Sequence, residues 1–129
     1  MSKELKKILY AEDEEDIRTI VAFILEELHG FDVTYCSDGE EVLQKASNMV
    51  PDLFLFDVMM PKMDGPTALI ELRKNPLFAD VPAIFMTAKI QSNEIQHYKS
   101  IGAIDVINKP FDPMQIGALI KAAWVKHES

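Results

Sequence analysis

The sequence predicts an α/β fold, a doubly wound, five-stranded parallel sheet with five helices. Three short, continuously apolar runs, at 8–11, 53–56 and 83–86, are typical of strands buried on both faces. Segment 31–36 instead alternates apolar and polar residues, as a half-exposed edge strand does. Because the apolar strands must be central and the second strand an edge, we expect the strand order 2-1-3-4-5, with helices one and five on one face.

The five helices are predicted from apolar residues that recur at helical spacing between the strands. Gly30 and Gly102 are natural stops for the first and fourth helices, and Pro66 suits the first turn of the third. A turn at 37–39 precedes the second helix, and a short fifth strand is expected at 105–108. In chain order the predicted apolar faces are Ile17, Ile20, Val21, Ile24, Leu25 and Leu28; Val42, Leu43, Ala46 and Met49; Ala68, Leu69 and Leu72; Ile95, Tyr98 and Ile101; and Ile116, Leu119, Ile120 and Ala123.

Composition is that of a single globular domain. The chain has 129 residues, of which 48% are hydrophobic and 26% charged. The net charge of −8 offers no basic face to nucleic acid, and no apolar stretch is long enough to span a bilayer. The lone Cys36 fits a reducing compartment. We therefore expect one cytoplasmic domain over 1–129, with a core at about 7–126, no direct nucleic-acid or membrane partner and, since the chain stops soon after the fifth helix, no output domain.

The strands deliver five reactive side chains to one edge of the predicted sheet: Glu12, Asp13, Asp57, Thr87 and Lys109. Three converging carboxylates repel one another unless a cation intervenes or one acid takes a proton. Hard oxygen ligands favour Mg²⁺, and an aspartate beside that metal can act as a nucleophile and form an aspartyl phosphate. Lys109 would supply a cation and Thr87 a hydroxyl donor. The set is therefore suited to phosphoryl transfer assisted by Mg²⁺.

An ordered series of short motifs resembles the receiver domain of two-component response regulators, which has the flavodoxin-like strand order. The series covers essentially the whole chain, and it is far more specific than any one pair of residues. It is closest in kind to stand-alone receivers of the chemotaxis type. The motifs are Glu12-Asp13, Asp57 with Met60-Pro61 and Asp64-Gly65, Thr87-Ala88, Gly102-Ala103 and Lys109-Pro110-Phe111.

The resemblance implies that Asp57 accepts a phosphoryl group from a sensor histidine kinase or a phosphotransfer protein. It places Mg²⁺ on Asp13, Asp57 and the backbone carbonyl of Met59, with Glu12 acting through water. Such a domain catalyses only its own phosphorylation and dephosphorylation, and in that sense is a switch and not an enzyme.

The resemblance also implies how the switch moves. Lys109 would pair with the phosphoryl group, Thr87 would turn towards it, and the Lys109-Pro110 peptide bond would be cis. Output would come from binding a downstream protein, or from passing the phosphoryl group onward. The expected contact surface is the face formed by the fourth helix, the fifth strand and the fifth helix.

Val106 departs from the family pattern, in which an aromatic residue often stands three positions before the lysine. A valine cannot act as a large rotating side chain, so we expect the readout to run through the fourth helix and its loop. Tyr98 and Phe111 are nearby aromatics on the expected signalling face. Ala88, Met59 and Lys89 flank the site. We expect Met59 and Lys89 to tune the lifetime of the phosphoryl group, with apolar Met59 partly excluding water.

Two other functions stay open at this point. The first is a phosphorylation-independent adaptor with a degenerate site, which Val106 favours and the intact acids, Thr87 and Lys109 oppose. Mg²⁺ binding discriminates between this adaptor and a phosphoacceptor switch, because a degenerate site should bind the ion poorly. The second is a phosphohydrolase with an aspartyl-phosphate intermediate, which needs a general acid just after the nucleophile and a capping insert. Val58 and Met59 follow Asp57 instead.

Overall fold

The computed structural model describes residues 4–88 and 91–128. Within them, five parallel strands form one sheet in the order β2-β1-β3-β4-β5, as predicted, and helices cover both faces. The strands are β1 Lys7–Ala11, β2 Asp32–Cys36, β3 Leu53–Asp57, β4 Ala83–Thr87 and β5 Ala103–Asn108. The helices are α1 Glu15–Phe23, which continues as a π-helical turn over Ile24–Leu28, α2 Gly39–Ala46, α3 Gly65–Arg73, α4 Ser92–Ser100 and α5 Ile116–Glu128; short 3₁₀ turns occupy Pro76–Phe78 and Pro113–Gln115.

The sheet separates two apolar clusters, and this places the helices as predicted. One cluster joins α1 and α5 to the sheet through residues such as Leu25 and Ile120. The other joins α2, α3 and α4 to the opposite face through residues such as Val42 and Leu69. Every residue of β3 and β4 is buried, because these central strands are covered on both sides.

Two aspartates fix where the helices beside the sheet's carboxyl edge begin. Asp38 caps α2 by accepting a hydrogen bond from the Glu41 N–H at 2.9 Å, and Asp64 caps α3 by accepting one from the Thr67 N–H at 2.8 Å. The predicted stop at Gly30 is confirmed, because Gly30 follows the π-helical turn with φ +72°. The two aspartate caps therefore fix the start of the helices that follow β2 and β3 at the carboxyl edge.

Several side chains predicted to be apolar-facing are exposed. The predicted alternation fails only at the end of β2, where Tyr35 is 50% exposed and Cys36 is buried beneath α2, which follows it directly. Leu28 is exposed because the wider π-helical turn rotates it away from the stripe set by α1. Ile20 borders an open groove, and Leu119 is also exposed, for which the structure offers no explanation.

No helix in the described part of the chain has the length and apolar character needed to cross a membrane.

Candidate functional site

The carboxyl ends of three strands bring Glu12, Asp57 and Lys109 together. Glu12 follows β1, Asp57 ends β3 and Lys109 follows β5. The Lys109 ammonium donates to Glu12 Oε1 at 3.0 Å and to Asp57 Oδ2 at 3.0 Å. The lysine side chain is 18% exposed, and those of the two acids 0% and 6%. The lysine therefore neutralises two acids that solvent barely reaches.

Burial and neighbouring charges shift the pKa values of both Lys109 and Glu12. Burial alone would lower the pKa of Lys109, but its hydrogen bonds to Glu12 and Asp57 outweigh burial and raise that pKa above the ordinary lysine value. The pKa of Glu12 is raised to about 7, chiefly by burial and then by the neighbouring Asp57, while Lys109 acts to lower it. Without a metal, the site therefore holds Glu12 close to its titration point at neutral pH.

Glu12 is anchored by its surroundings as well as by the lysine. Its Oε2 accepts a hydrogen bond from the Glu14 N–H at 3.3 Å, and its backbone carbonyl accepts one from the Arg18 guanidinium at 2.9 Å. Its own N–H donates to the carbonyl of Cys36 at 3.0 Å. The start of α1 and the end of β2 thus both fix the position of this acid.

Three carboxylates form a candidate metal site. One oxygen each from Glu12, Asp13 and Asp57 lies within 4.8 Å of the others, and Asp13 is exposed to solvent. The donors are all hard oxygens and one side of the cluster is open, which fits Mg²⁺ with retained waters and not a soft metal. That the Met59 carbonyl is a metal ligand stays a prediction. The N–H of Met59 donates to Asp57 Oδ1 at 3.3 Å.

The loop after Asp57 is held close to the strand by a glycine. The Gly65 N–H donates to the carbonyl of Val58 at 3.1 Å, and a Cβ at Gly65 would overlap the carbonyl oxygen of Asp57. The Val58 N–H in turn donates to the Met86 carbonyl at 2.9 Å. These contacts tie the loop to β3 and β4, so Asp57 projects from a fixed backbone.

Thr87, Met59 and Ala88 lie at the same edge of the sheet. Thr87 ends β4, is buried, and its carbonyl accepts the Lys109 N–H at 2.9 Å. The Lys109-Pro110 peptide bond is cis. Met59 is 74% exposed, and exposed Ala88 follows Thr87. Lys89 lies outside the described residues.

Val106 and Tyr98 face the interior on the α3 and α4 side. Val106 is in register with Phe85 on β4, and the Phe85 and Tyr98 rings pack with their centroids 5.0 Å apart. Tyr98 is buried, as its place among the apolar residues of the fourth helix predicts. The reason is that α4 turns this side chain towards the sheet, where it packs against Phe85. The valine is thus a partly buried neighbour of an existing aromatic pair.

An apolar groove of about 320 Å³ adjoins the site. It is bounded by Lys109 and Ala88 on the site side and by α1 and the loop after β5 on the other. Its apolar lining is Ile17, Ile20, Ala88, Pro110, Phe111 and Pro113.

Two residues with long-range contacts or unusual burial were not singled out from the sequence. Arg73, at the end of α3, donates to the carbonyls of Phe78 and Val81 and to the loop between α4 and β5. Tyr10 lies within β1 with its hydroxyl buried. A phenol inside an apolar strand two residues before an acid was a usable signal for Tyr10. The contacts of Arg73 join loops distant in sequence, and no local pattern reveals them.

Comparison with known proteins agrees with this geometry. Residues 8–121 match the family model described as the response regulator receiver domain, and the chain belongs to that family. It is 42% identical over 123 residues to the alkaline phosphatase synthesis transcriptional regulatory protein PhoP of Bacillus subtilis (strain 168), covering 95% of this chain and 50% of that protein. It is 33% identical to the phosphate regulon transcriptional regulatory protein PhoB of Escherichia coli (strain K12), covering 91% and 51%. The chain thus spans about half the length of these curated relatives.

Solved structures include two close matches in fold. The Vibrio cholerae chemotaxis response regulator CheY4 has a TM-score of 0.85 and 28% identity, covering 93% of this chain and 99% of that one. A CheY-like receiver domain protein from Methanospirillum hungatei JF-1 has a TM-score of 0.83 and 29% identity, covering 97% and 98%. The flavodoxin-like α/β fold predicted from the sequence is confirmed, as is the family.

Proposed function

We propose that this receiver domain is a phosphoacceptor switch in which Asp57 takes a phosphoryl group from a phosphohistidine of a sensor histidine kinase or phosphotransfer protein. The observation that carries the proposal is the pair of 3.0 Å bonds from Lys109 to Asp57 and Glu12, beside an oxygen cluster suited to Mg²⁺. In the transfer an Asp57 carboxylate oxygen bonds to phosphorus, the phosphorus–nitrogen bond breaks, and the imidazole leaves with its electron pair.

The residues around Asp57 have distinct tasks in this step. The buried ammonium of Lys109 is placed to neutralise charge on the incoming phosphoryl oxygens. Bound Mg²⁺, held by Asp13 and Asp57 with Glu12 nearby, would neutralise further phosphoryl charge and align the donor. Thr87, at the end of β4, is placed to turn its hydroxyl towards the same oxygens. Met59 and Lys89 are proposed to set the lifetime of the acyl phosphate.

We assign donor docking to the apolar groove bordered by Ile17 and Ile20. The groove is continuous with the site through Lys109 and Ala88, so a protein seated there would bring its phosphohistidine to Asp57. Ile20 is 48% exposed and is available for contact. Replacing it by glutamate should slow transfer from a cognate phosphodonor protein while leaving phosphorylation by acetyl phosphate unchanged. Loss with both donors would argue against docking at this groove.

Output is proposed to be a protein contact or onward transfer, read from the face of α4, β5 and α5. Because Val106 lies against the Phe85–Tyr98 pair, a change at Thr87 would reach that face through the packing of α4. The buried free thiol of Cys36 is consistent with a reducing, cytoplasmic setting.

The decisive experiment is intact mass after incubation with acetyl phosphate, with and without Mg²⁺. The unmodified chain should gain one phosphoryl group only when Mg²⁺ is present. Asp57→Asn should gain none, whereas Asp105→Asn, an exposed acid on β5, should behave as the unmodified chain does. If the unmodified chain gains no phosphoryl group and binds no Mg²⁺, the proposal fails and an adaptor role is favoured.

A further inference from the structure

Tyr10 lies in the middle of β1, in register with Tyr35 of β2 and Leu55 of β3. Since Tyr10 and Glu12 are two residues apart along an extended chain, they project from the same face of the sheet, with Glu12 nearer the carboxyl edge. That face is the one packed against α1 and α5. The tyrosine is fully buried, at 0% exposure. Tyr10 therefore lies on the same face as Glu12 and further from the carboxyl edge.

The Tyr10 hydroxyl has no hydrogen-bond partner among residues 4–88 and 91–128. A buried hydroxyl without a partner is unfavourable, and a phenylalanine would fill the same space without that penalty. Burial raises the pKa of Tyr10 well above the ordinary tyrosine value, and the charges of Glu12 and Asp57 raise it further. The group is thus a neutral donor held within electrostatic range of the site.

Glu12 is the acceptor that would need such a donor. Its Oε1 depends on Lys109, while its Oε2 has only a long bond of 3.3 Å from the Glu14 N–H. Lys109 is repelled when a divalent cation is held among the acids, and it is attracted by a phosphoryl group on Asp57. In either case its bond to Glu12 weakens. Because Glu12 is completely buried, bulk solvent reaches it poorly, and a replacement donor must come from a cation-bound water or from a buried side chain.

We propose that Tyr10 is a positioning residue of the phosphorylation site: its hydroxyl donates to the Glu12 carboxylate when Lys109 is drawn away, and so orients Glu12 in the loaded site. The Tyr10 hydroxyl, which has no partner among the described residues, would thus gain Glu12 as its acceptor when the site binds a cation or a phosphoryl group. This inference rests on the proposed function, because it needs a cation or phosphoryl group to bind at the three acids.

The test compares Tyr10→Phe with Tyr35→Phe, which removes a hydroxyl from the register neighbour on the exposed edge strand. Urea unfolding is followed at increasing Mg²⁺ concentration at constant ionic strength, and the Mg²⁺ dissociation constant is taken from the rise in stability. Without Mg²⁺, Tyr10→Phe should unfold at the same or a higher urea concentration than the unmodified chain. Its Mg²⁺ affinity should fall roughly fivefold, the worth of one hydrogen bond, and Tyr35→Phe should change neither quantity.

A further variant shows whether the hydroxyl acts through Glu12. In a Glu12→Gln background, Tyr10→Phe should weaken Mg²⁺ binding less than it does in the unmodified chain, since the carboxylate acceptor is gone. Equal destabilisation by Tyr10→Phe with and without Mg²⁺ would overturn the inference, because the hydroxyl would then already have a partner, such as an internal water. An unchanged Mg²⁺ affinity would also overturn it. Failure of the unmodified chain to bind Mg²⁺ would refute the metal site itself, and the inference with it.

Discussion

Arg73 joins the end of α3 to two other segments of the chain, and replacing it should destabilise the fold. Its Nη1 donates to the carbonyls of Phe78 at 2.6 Å and Val81 at 2.5 Å, while its Nε donates to Ile101 at 3.1 Å. Burial lowers the pKa of this guanidinium below the ordinary arginine value. The side chain therefore ties the end of α3 to the segment that enters β4 and to the loop that enters β5.

The magnitude follows from the bonds that are lost. A hydrogen bond from a charged donor contributes about 1.5–3 kcal/mol, and bonds made by one side chain are not additive. Since Arg73 is only half-buried, water can reach some of the released carbonyls. We therefore expect Arg73→Met to lower the free energy of unfolding by roughly 3 kcal/mol, which at a typical urea dependence of about 1.5 kcal/mol per molar lowers the midpoint by roughly 2 M.

Urea unfolding monitored by circular dichroism measures this directly, and the adjacent residue provides the control. Lys74 is exposed and makes one ion pair with Glu71 at 2.9 Å, so Lys74→Met should cost less than about 0.5 kcal/mol. A loss below about 1 kcal/mol for Arg73→Met would refute the reasoning, because it would show that water satisfies the three loop carbonyls as well as the guanidinium does.

Three further outcomes are expected. Gly65→Ala should slow phosphorylation by acetyl phosphate and lower the urea midpoint, because its Cβ would overlap the Asp57 carbonyl; an unchanged rate would show that the loop yields. Met59→Asn should change the dephosphorylation rate measured after donor removal, and an unchanged rate would contradict a tuning role. Burial raises the pKa of the Cys36 thiol to about 12, so stability due to this thiol is complete below the unfolded pKa near 9 and falls as pH rises from there towards 12. The unmodified chain should therefore lose about 1.4 kcal/mol more than Cys36→Ala by pH 10, and parallel pH curves would contradict the shift.

The sequence was most informative where a residue pattern fits only one structural position. Apolar strands at 53–56 and 83–86 could only be central, so strand order and the meeting of Asp57 with Glu12 followed from topology. The sequence was less informative where side-chain direction depends on neighbours. Tyr98 was expected among the apolar residues of α4 and is buried, but its packing against Phe85 is decided by the neighbouring strand and not by the helix pattern.

Long-range contacts of single side chains were beyond the reach of the sequence. Arg73 bonds to Ile101, 28 positions away, and its charged side chain gave no local sign that it would turn inward. Similarly, the π-helical turn after α1 exposes Leu28 although its spacing matches the apolar stripe. Periodicity assumes ideal helical geometry, from which the turn at Leu28 departs, and it carries no information on long-range contacts such as those of Arg73.

When no metal is bound, repulsion within the acidic cluster should lower the free energy of unfolding of this protein. Asp13 contributes a third carboxylate whose oxygen lies within 4.8 Å of those of Glu12 and Asp57, and Lys109 bonds only to the latter two. Two unit charges at that separation repel by about 1 kcal/mol even in water. Asp13→Asn should therefore raise the urea midpoint in the absence of Mg²⁺, and should lose most of the stabilisation that added Mg²⁺ gives the unmodified chain. With ionic strength matched by NaCl, the order of stability should reverse at saturating Mg²⁺. A destabilised, Mg²⁺-responsive Asp13→Asn variant would mean that Asp13 is held by contacts other than a metal, and that the three acids do not act as one site.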